Sequence, residues 1–205
     1  MWRLLQLADS AFPTGGFAHS FGLEAAAQAR EVGSLRRFAR DALWQAGQGA
    51  LPLVRAAWQG AIAEADARAQ SFLANHVANR ASRTQGRAFF STCARIFPAR
   101  VDVSGLKMHL APLWGAIFRE LGLSLEEAQR LYLWNTARGV LSAAVRLGLA
   151  GTHEAQTLLT ELAPALDEVL AACSPLGLEE LAQTAPIADL LQATHDRLYS
   201  RLFQS

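Results

Sequence analysis

The chain has 205 residues, of which 51% are hydrophobic, and its 19 basic and 18 acidic side chains give a formal net charge of +1. Ala and Leu far outnumber Val and Ile, so the composition favours helices around one sizeable core. The near-zero charge argues against a broadly basic nucleic-acid-binding protein and against an acidic disordered tail.

Turn and capping residues divide the chain into helical lengths. Ser34 is a suitable N-cap, Pro52 fits the first turn of a helix, Ser124 and Glu127 form a capping box, and Pro164 is expected to bend its helix. After a short apolar segment at about 4–8, the predicted helices cover about residues 21–30, 34–48, 52–63, 66–97 (continuous or broken), 110–121, 124–149, 153–172 and 186–203. We therefore expect an all-α, single-domain bundle of about eight to ten helices over residues 1–205.

The predicted helix at 124–149 is apolar around most of its circumference, which is typical of a helix in a core. One polar stripe interrupts it, formed by Asn135, Arg138, Ser142 and Arg146. We interpret this stripe as the solvent-facing edge of the helix. The alternative is a polar line that faces a crevice, a partner or a second copy of the chain.

The last predicted helix, from Pro186 to Phe203, carries an apolar stripe with His195 and Tyr199 beside it. Arg197 and Arg201 suit the negative end of the helix dipole. The apolar end of this segment either packs on the core of the chain or frays until a partner covers it.

The usual sequence patterns of catalytic and metal sites are missing. There is no phosphate-binding loop, dinucleotide fingerprint, zinc-binding helix or nucleophile elbow, and the five His residues are scattered. Cys93 and Cys173 are far apart, which indicates reduced thiols. We expect no enzyme activity, no cofactor and no metal site. With no long apolar window and no evident secretory signal, we expect a cytoplasmic protein that does not contact membranes.

Two segments are candidates for recognition. Pro13–Glu24 combines Gly, Pro and aromatic residues with His19, and it predicts either a turn that caps a helix or a rigid recognition loop. In the second segment, Arg83 and Arg87 share one helix face with no acidic neighbour in sequence, which fits either a solvated basic face or an acidic or phosphate-bearing partner. Gly86 in the same helix costs about 1 kcal/mol relative to Ala, so close packing should justify it.

Three segments together resemble the signature motifs of the urease accessory protein family UreF. The N-terminal one covers Leu4–Asp9 and Pro13–Glu24, the central one is Ser82–Arg87, and the C-terminal one is His195–Ser205. They occur in family order and span nearly the whole chain. The chain departs from the family at residues 146–156, where a Pro and a Gln are lost, and at Asp196, where Glu is common.

The resemblance implies an all-helical, non-enzymatic assembly factor that tends to form a homodimer. Such proteins bind UreD (also called UreH), recruit the GTPase UreG, and help to deliver nickel to apo-urease. On this interpretation Leu198, Tyr199, Arg201, Leu202 and Phe203 contact the UreD-like partner, while His19, Glu24, Arg83 and Arg87 shape or contact the GTPase side. The complete set of candidate partner-binding residues is Phe17, His19, Glu24, Arg83, Gly86, Arg87, Arg146, His195, Leu198, Tyr199, Arg201, Leu202 and Phe203.

Two alternative functions stay open at the level of sequence. The first is a regulator that stimulates GTP hydrolysis by UreG with an arginine, for which Arg83, Arg87 and Arg146 are the candidates. The second is a nickel-binding metallochaperone, which the scattered His and Cys residues support poorly because tight sites need convergent ligands.

Overall fold

The computed structural model describes residues 1–98 and 100–205, and within them it contains ten α-helices and no strand. The helices are α1 Trp2–Ala8, α2 Leu23–Gln28, α3 Leu35–Trp58, α4 Ile62–Phe72, α5 His76–Ile96, α6 Leu110–Glu120, α7 Leu125–Arg146, α8 Thr152–Glu161, α9 Ala163–Cys173 and α10 Pro186–Ala193. The prediction of a single-domain, all-helical bundle is confirmed. No described helix has the length and apolar character needed to cross a membrane.

Several predicted helix boundaries are confirmed by their capping contacts. The Ser34 hydroxyl accepts a hydrogen bond from the backbone N–H of Arg37. Ser124 and Glu127 form the predicted capping box, with N···O distances of 3.1 and 2.7 Å. The predicted segment 66–97 is broken between α4 and α5, and the side chain of Asn75 caps the start of α5. These local signals therefore fix where the helices begin.

The prediction of two helices around Pro52 is wrong, because α3 continues through this residue as one helix. A proline inside a helix leaves the carbonyl group four residues earlier without its usual N–H partner. Here that group belongs to Gln48, and the backbone N–H of Ala182 approaches its oxygen at 3.4 Å. A distant part of the chain thus satisfies the exposed carbonyl, and the helix does not need to end.

Helices α3 and α7 lie at the centre of the bundle, where each contributes buried residues to the core. Phe89, Trp114 and Phe118 form an aromatic stack within this core, with ring centroids 4.8 Å apart at each step. The prediction that the helix at 124–149 belongs in the core is confirmed, since Ala137 and Val140 of α7 are completely buried.

The prediction of a last helix that reaches Phe203 is also wrong. Helix α10 ends at Ala193, a short 3₁₀ turn covers His195–Arg197, and residues 198–205 have no regular secondary structure. The backbone N–H groups of Leu202 and Phe203 donate to a distant carboxylate instead of to the carbonyl groups of a preceding turn. Tertiary hydrogen bonds therefore replace the helix that the apolar periodicity predicts.

Candidate functional site

The N-terminal and C-terminal motifs meet in one place. Residues 198–205, here called the C-terminal segment, lie against the loop that precedes α2. The carbonyl oxygen of Ser205 accepts hydrogen bonds from the backbone N–H of Ser20 at 2.6 Å and from its hydroxyl at 2.8 Å. The backbone N–H of Gln204 donates to the carbonyl oxygen of Ala18 at 2.7 Å. The N-terminal and C-terminal motifs are therefore parts of one site.

Glu24 is the main anchor of the C-terminal segment. Its carboxylate accepts hydrogen bonds from the backbone N–H of Leu202 at 2.6 Å, from that of Phe203 at 3.1 Å, and from Nε2 of His195 at 2.9 Å. Glu24 is 2% exposed and His195 is completely buried. A buried carboxylate needs such donors, and these donors determine the path of the last residues.

His19 holds the same segment from the other side. Its Nδ1 lies 2.6 Å from the hydroxyl oxygen of Ser205. Burial lowers the pKa of His19 from 6.5 to about 4, with smaller contributions from the charges of His195 and Arg80. The ring is therefore neutral at pH 7, and its contact with Ser205 is a hydrogen bond between uncharged groups.

Arg146 of α7 contacts both motifs from the side. Its guanidinium group lies 3.8 Å from the ring centroid of Phe17 and 4.1 Å from that of Phe203. It also donates a hydrogen bond to the carbonyl oxygen of Phe17. Cation–π contacts of this kind favour both rings in their observed places. Arg146 is thus engaged inside the site and does not extend from the surface.

Three apolar side chains of this site are exposed, beside the exposed polar residues Ser200, Arg201 and Gln204. Phe17 is 70% exposed, Leu202 is 53% exposed, and Tyr199 is fully exposed. Leu198 is half-buried at the start of the C-terminal segment. We name Phe17, Tyr199 and Leu202 the terminal apolar patch. Among the sequence candidates, His19, Glu24, His195 and Phe203 are buried beneath the surface, so they shape the site from within.

The polar stripe of α7 faces a crevice, and our preferred interpretation as a solvent edge is wrong. Asn135, Arg138, Ser142 and Arg146 all line a crevice of about 230 Å³ together with the loop at residues 10–17. Arg138 donates a hydrogen bond to the carbonyl oxygen of Ala8 at 2.5 Å, so the stripe also holds the N-terminal region in place. Sequence alone could not show that this loop folds back over α7.

The central motif has a structural role at Gly86. A Cβ atom on this residue would lie 2.0 Å from the carbonyl oxygen of Met108 and 3.0 Å from the backbone nitrogen of Leu110. The expectation that close packing justifies this glycine is confirmed, because any side chain would push α5 away from the start of α6. The adjacent His109 is completely buried, with Nδ1 3.1 Å from Ser82 Oγ and Nε2 3.0 Å from Gln70 Oε1.

Arg83 and Arg87 belong to a different face of α5 from the buried Gly86. Arg87 is exposed and Arg83 is half-buried. The described part of the chain places no carboxylate within ion-pair distance of either side chain. The structure therefore does not bring them into the hydrogen-bond network around Glu24 and the C-terminal segment.

Sequence reasoning missed the contact that links α5 to the C-terminal region. Arg80 donates two hydrogen bonds to Asp196, at 3.0 and 2.6 Å, while His76 and Arg201 lie 3.3 and 3.6 Å from the same carboxylate. This environment, above all the hydrogen bond from Arg80, holds the pKa of Asp196 below its usual value. The available signal was that Arg80 lies on the helix stripe of Arg83 and Arg87.

Metal ligation finds little support in the geometry. Across residues 1–98 and 100–205, no group of three or more His, Cys, Asp or Glu side chains is arranged to hold a metal ion. Burial raises the pKa of the Cys93 thiol to about 12 and also raises that of Cys173. Both thiols are therefore protonated and poor ligands at neutral pH.

Comparisons with known proteins identify the family. The UreF family model matches residues 29–163. A urease accessory protein F from Arabidopsis thaliana is 38% identical, with 100% of this chain and 92% of the relative covered, and one from rice (Oryza sativa subsp. japonica) is 36% identical, covering 99% and 84%. An uncharacterized UreF-like urease accessory protein from Schizosaccharomyces pombe is 32% identical, covering 98% and 95%. These relatives are accessory proteins, and the chain belongs to the UreF family of urease accessory proteins.

Proposed function

We propose that this chain is a scaffold in urease maturation that binds a UreD-like protein and recruits the GTPase UreG, so that nickel reaches apo-urease. Membership of the UreF family supports the role in urease maturation. The observation that carries the finer proposal is the terminal apolar patch, formed where the N-terminal and C-terminal motifs meet.

The patch has the character of a protein contact surface. Phe17, Tyr199 and Leu202 expose 70%, 104% and 53% of their surface, although the buried Glu24 beneath them accepts hydrogen bonds from the backbone N–H groups of Leu202 and Phe203. Aromatic side chains are enriched at protein interfaces. Exposed apolar side chains on a hydrogen-bonded segment favour a partner that covers the outside of the C-terminal segment. We assign this partner as the UreD-like protein.

Surface variants test this assignment without disturbing the base. We expect Tyr199→Ala combined with Leu202→Ala to lose co-purification with UreD and to keep the wild-type unfolding curve. Ile96→Ala is a matched control, because Ile96 is 46% exposed at the far end of α5. UreD binding that survives in the double variant would overturn the assignment of this surface.

A regulator of GTP hydrolysis is the second candidate, and it is favoured by Arg87, which is exposed and has no ion pair in the described chain. Arg146 fits this role poorly because it is held between two aromatic rings. Single-turnover GTP hydrolysis by UreG in the assembled complex tests the idea. Stimulation that Arg87→Ala abolishes would support it, whereas no stimulation by the wild type would refute it.

Nickel enters this proposal as the cargo of the assembly, passed on by the complex and not stored in the chain. Calorimetry with nickel on the isolated chain tests that point, and tight binding would favour the metallochaperone instead.

The homodimer also belongs to the proposal. Light scattering on the isolated chain and on its complex with UreD measures it directly.

A further inference from the structure

A pocket of about 210 Å³ lies inside the bundle, between α3, α5 and α10. Small residues line it on all three helices, and those of α3 and α5 recur at helical spacing. They are Ala42, Ala46 and Gly49 of α3, Ala78 and Ala81 of α5, and Ala188 of α10. An apolar cavity of about 150 Å³ already holds a benzene molecule. The pocket therefore has room for a small organic ligand.

The wall of this pocket is largely apolar. Phe38 and Leu53 of α3 and Phe72 of α4 line it beside the small residues. Phe38 and Phe72 are half-buried, so part of each ring is still accessible. Because the removal of apolar surface from water is favourable, a ligand with an apolar body gains free energy by lying against these rings.

One buried amide in the pocket has no partner. Gln85 of the central motif lines the pocket and is 9% exposed, yet its side chain forms no hydrogen bond with the described residues. Tyr132 of α7 lines the same pocket, and its hydroxyl is also without a hydrogen bond in the described part of the chain. A buried polar group without a partner carries a desolvation cost, which a ligand with a matching group removes. These two side chains therefore indicate a ligand with a polar group at one end.

The surroundings of the Gln85 amide favour an uncharged ligand. His19 and His109 line the pocket, and burial lowers the pKa of each from 6.5 to about 4, so both rings are neutral at pH 7. No Lys or Arg side chain of the described residues lines the pocket, whereas Asp189 does. An anion would therefore lack a cationic partner and would meet a carboxylate. A cation is not required either, because the Asp189 carboxylate already accepts a hydrogen bond from Asn75 at 3.1 Å.

Helix α10 closes one side of the pocket and is lightly packed. None of its residues is buried, and Ile187 and Leu190 are 69% and 66% exposed. Its main polar attachment is Asn75, whose side chain donates to the carbonyl oxygen of Asp189 at 2.8 Å and to its carboxylate. Segments with few buried contacts open locally at a low cost in free energy. Local opening of α10 therefore gives a ligand a way into the pocket.

We propose that the pocket between α3, α5 and α10 binds a small uncharged organic molecule with an apolar body and one carboxamide group. The apolar body lies against Phe38 and Phe72. The carboxamide exchanges hydrogen bonds with Gln85, because each amide is both a donor and an acceptor, and its oxygen accepts a further hydrogen bond from Tyr132. This site goes beyond the proposed function and does not depend on it.

Three probes of similar shape separate the parts of this inference. Benzamide has an apolar ring and an uncharged carboxamide, benzoate carries a negative charge in the same place, and toluene has no polar group. Their binding to the full chain is measured by nuclear magnetic resonance titration for the wild type, Gln85→Leu and Ala46→Leu. Ala188→Leu fills the pocket from α10 and keeps the test valid if Ala46→Leu folds poorly. Ala67→Leu is the matched control, because Ala67 is exposed on α4.

We expect benzamide to bind the wild type about tenfold more tightly than benzoate. Gln85→Leu should lose the affinity for benzamide and keep that for toluene. The pocket-filling variants should weaken both benzamide and toluene by about tenfold or more, whereas Ala67→Leu should bind like the wild type.

A wild-type chain that does not bind benzamide, or binds benzoate as tightly, would overturn the inference. Wild-type affinity for benzamide in Gln85→Leu or in the pocket-filling variants would also overturn it, since the probe would then bind elsewhere or without the amide contact. Each of these results leaves the proposed function intact, because no partner protein takes part in the measurement.

Discussion

Replacing Glu24 by Gln should loosen the C-terminal segment while the rest of the fold stays intact. The carboxylate accepts three hydrogen bonds, from His195 and from the backbone N–H groups of Leu202 and Phe203. An amide of the same shape keeps one acceptor oxygen and points an NH₂ group at a donor. Since hydrogen bonds to a charged group contribute about 1.5–3 kcal/mol each, the loss of one raises local opening about 10- to 150-fold.

Amide hydrogen exchange at Leu202 and Phe203 measures this effect directly. We expect exchange at these two amides to accelerate in Glu24→Gln, while core amides of α7 keep their protection. Glu31→Gln is the control, because Glu31 is an exposed carboxylate that follows the same helix. If Glu24→Gln exchanges like the wild type at both amides, Glu24 is not the anchor of the segment.

Three further results are expected from urea unfolding. Gly86→Ala places a Cβ atom 2.0 Å from a backbone oxygen and should lower the free energy of unfolding by about 1–3 kcal/mol. Gly151→Ala is the control, because Gly151 has open space around it and the free energy of unfolding should change little. Burial lowers the pKa values of His19 and His109 to about 4, so the unfolded chain binds more protons than the folded one as pH falls below about 6.5. The free energy of unfolding should therefore drop towards pH 4, by up to about 2.7 kcal/mol per pH unit for the two residues together. A free energy of unfolding that does not change with pH in this range would contradict their burial. Arg146→Ala removes cation–π contacts with two rings and should cost about 1–3 kcal/mol; unchanged stability would show that these contacts are dispensable.

Local sequence signals predicted much of the fold. Ser34 and Ser124 cap helices where their side chains indicate, and the apolar circumference of α7 correctly places it in the core. The motifs also identified the family, since short patterns such as Pro13–Glu24 can be recognised in the sequence without any structure. These features depend on neighbours along the chain, which is why sequence reveals them.

The errors arose where distant residues decide the outcome. Helix α3 passes through Pro52 because the N–H of Ala182 approaches the carbonyl group that the proline leaves without a partner. The predicted last helix ends early because Glu24, far away in sequence, accepts the backbone N–H groups of Leu202 and Phe203. Helical periodicity does not reveal hydrogen bonds to residues that are distant in sequence. It also gave no sign that Arg80 binds Asp196.

Co-expression of this chain with a UreD-like protein and UreG, followed by size and mass measurement of the purified assembly, tests whether the chain is a scaffold. If this chain is the scaffold, we expect one complex that contains all three proteins. We also expect Tyr199→Ala/Leu202→Ala, on the outside of the C-terminal segment, to release the chain from that complex while its fold persists. A wild-type chain that purifies alone, with UreD and UreG in separate fractions, would contradict its role as a scaffold.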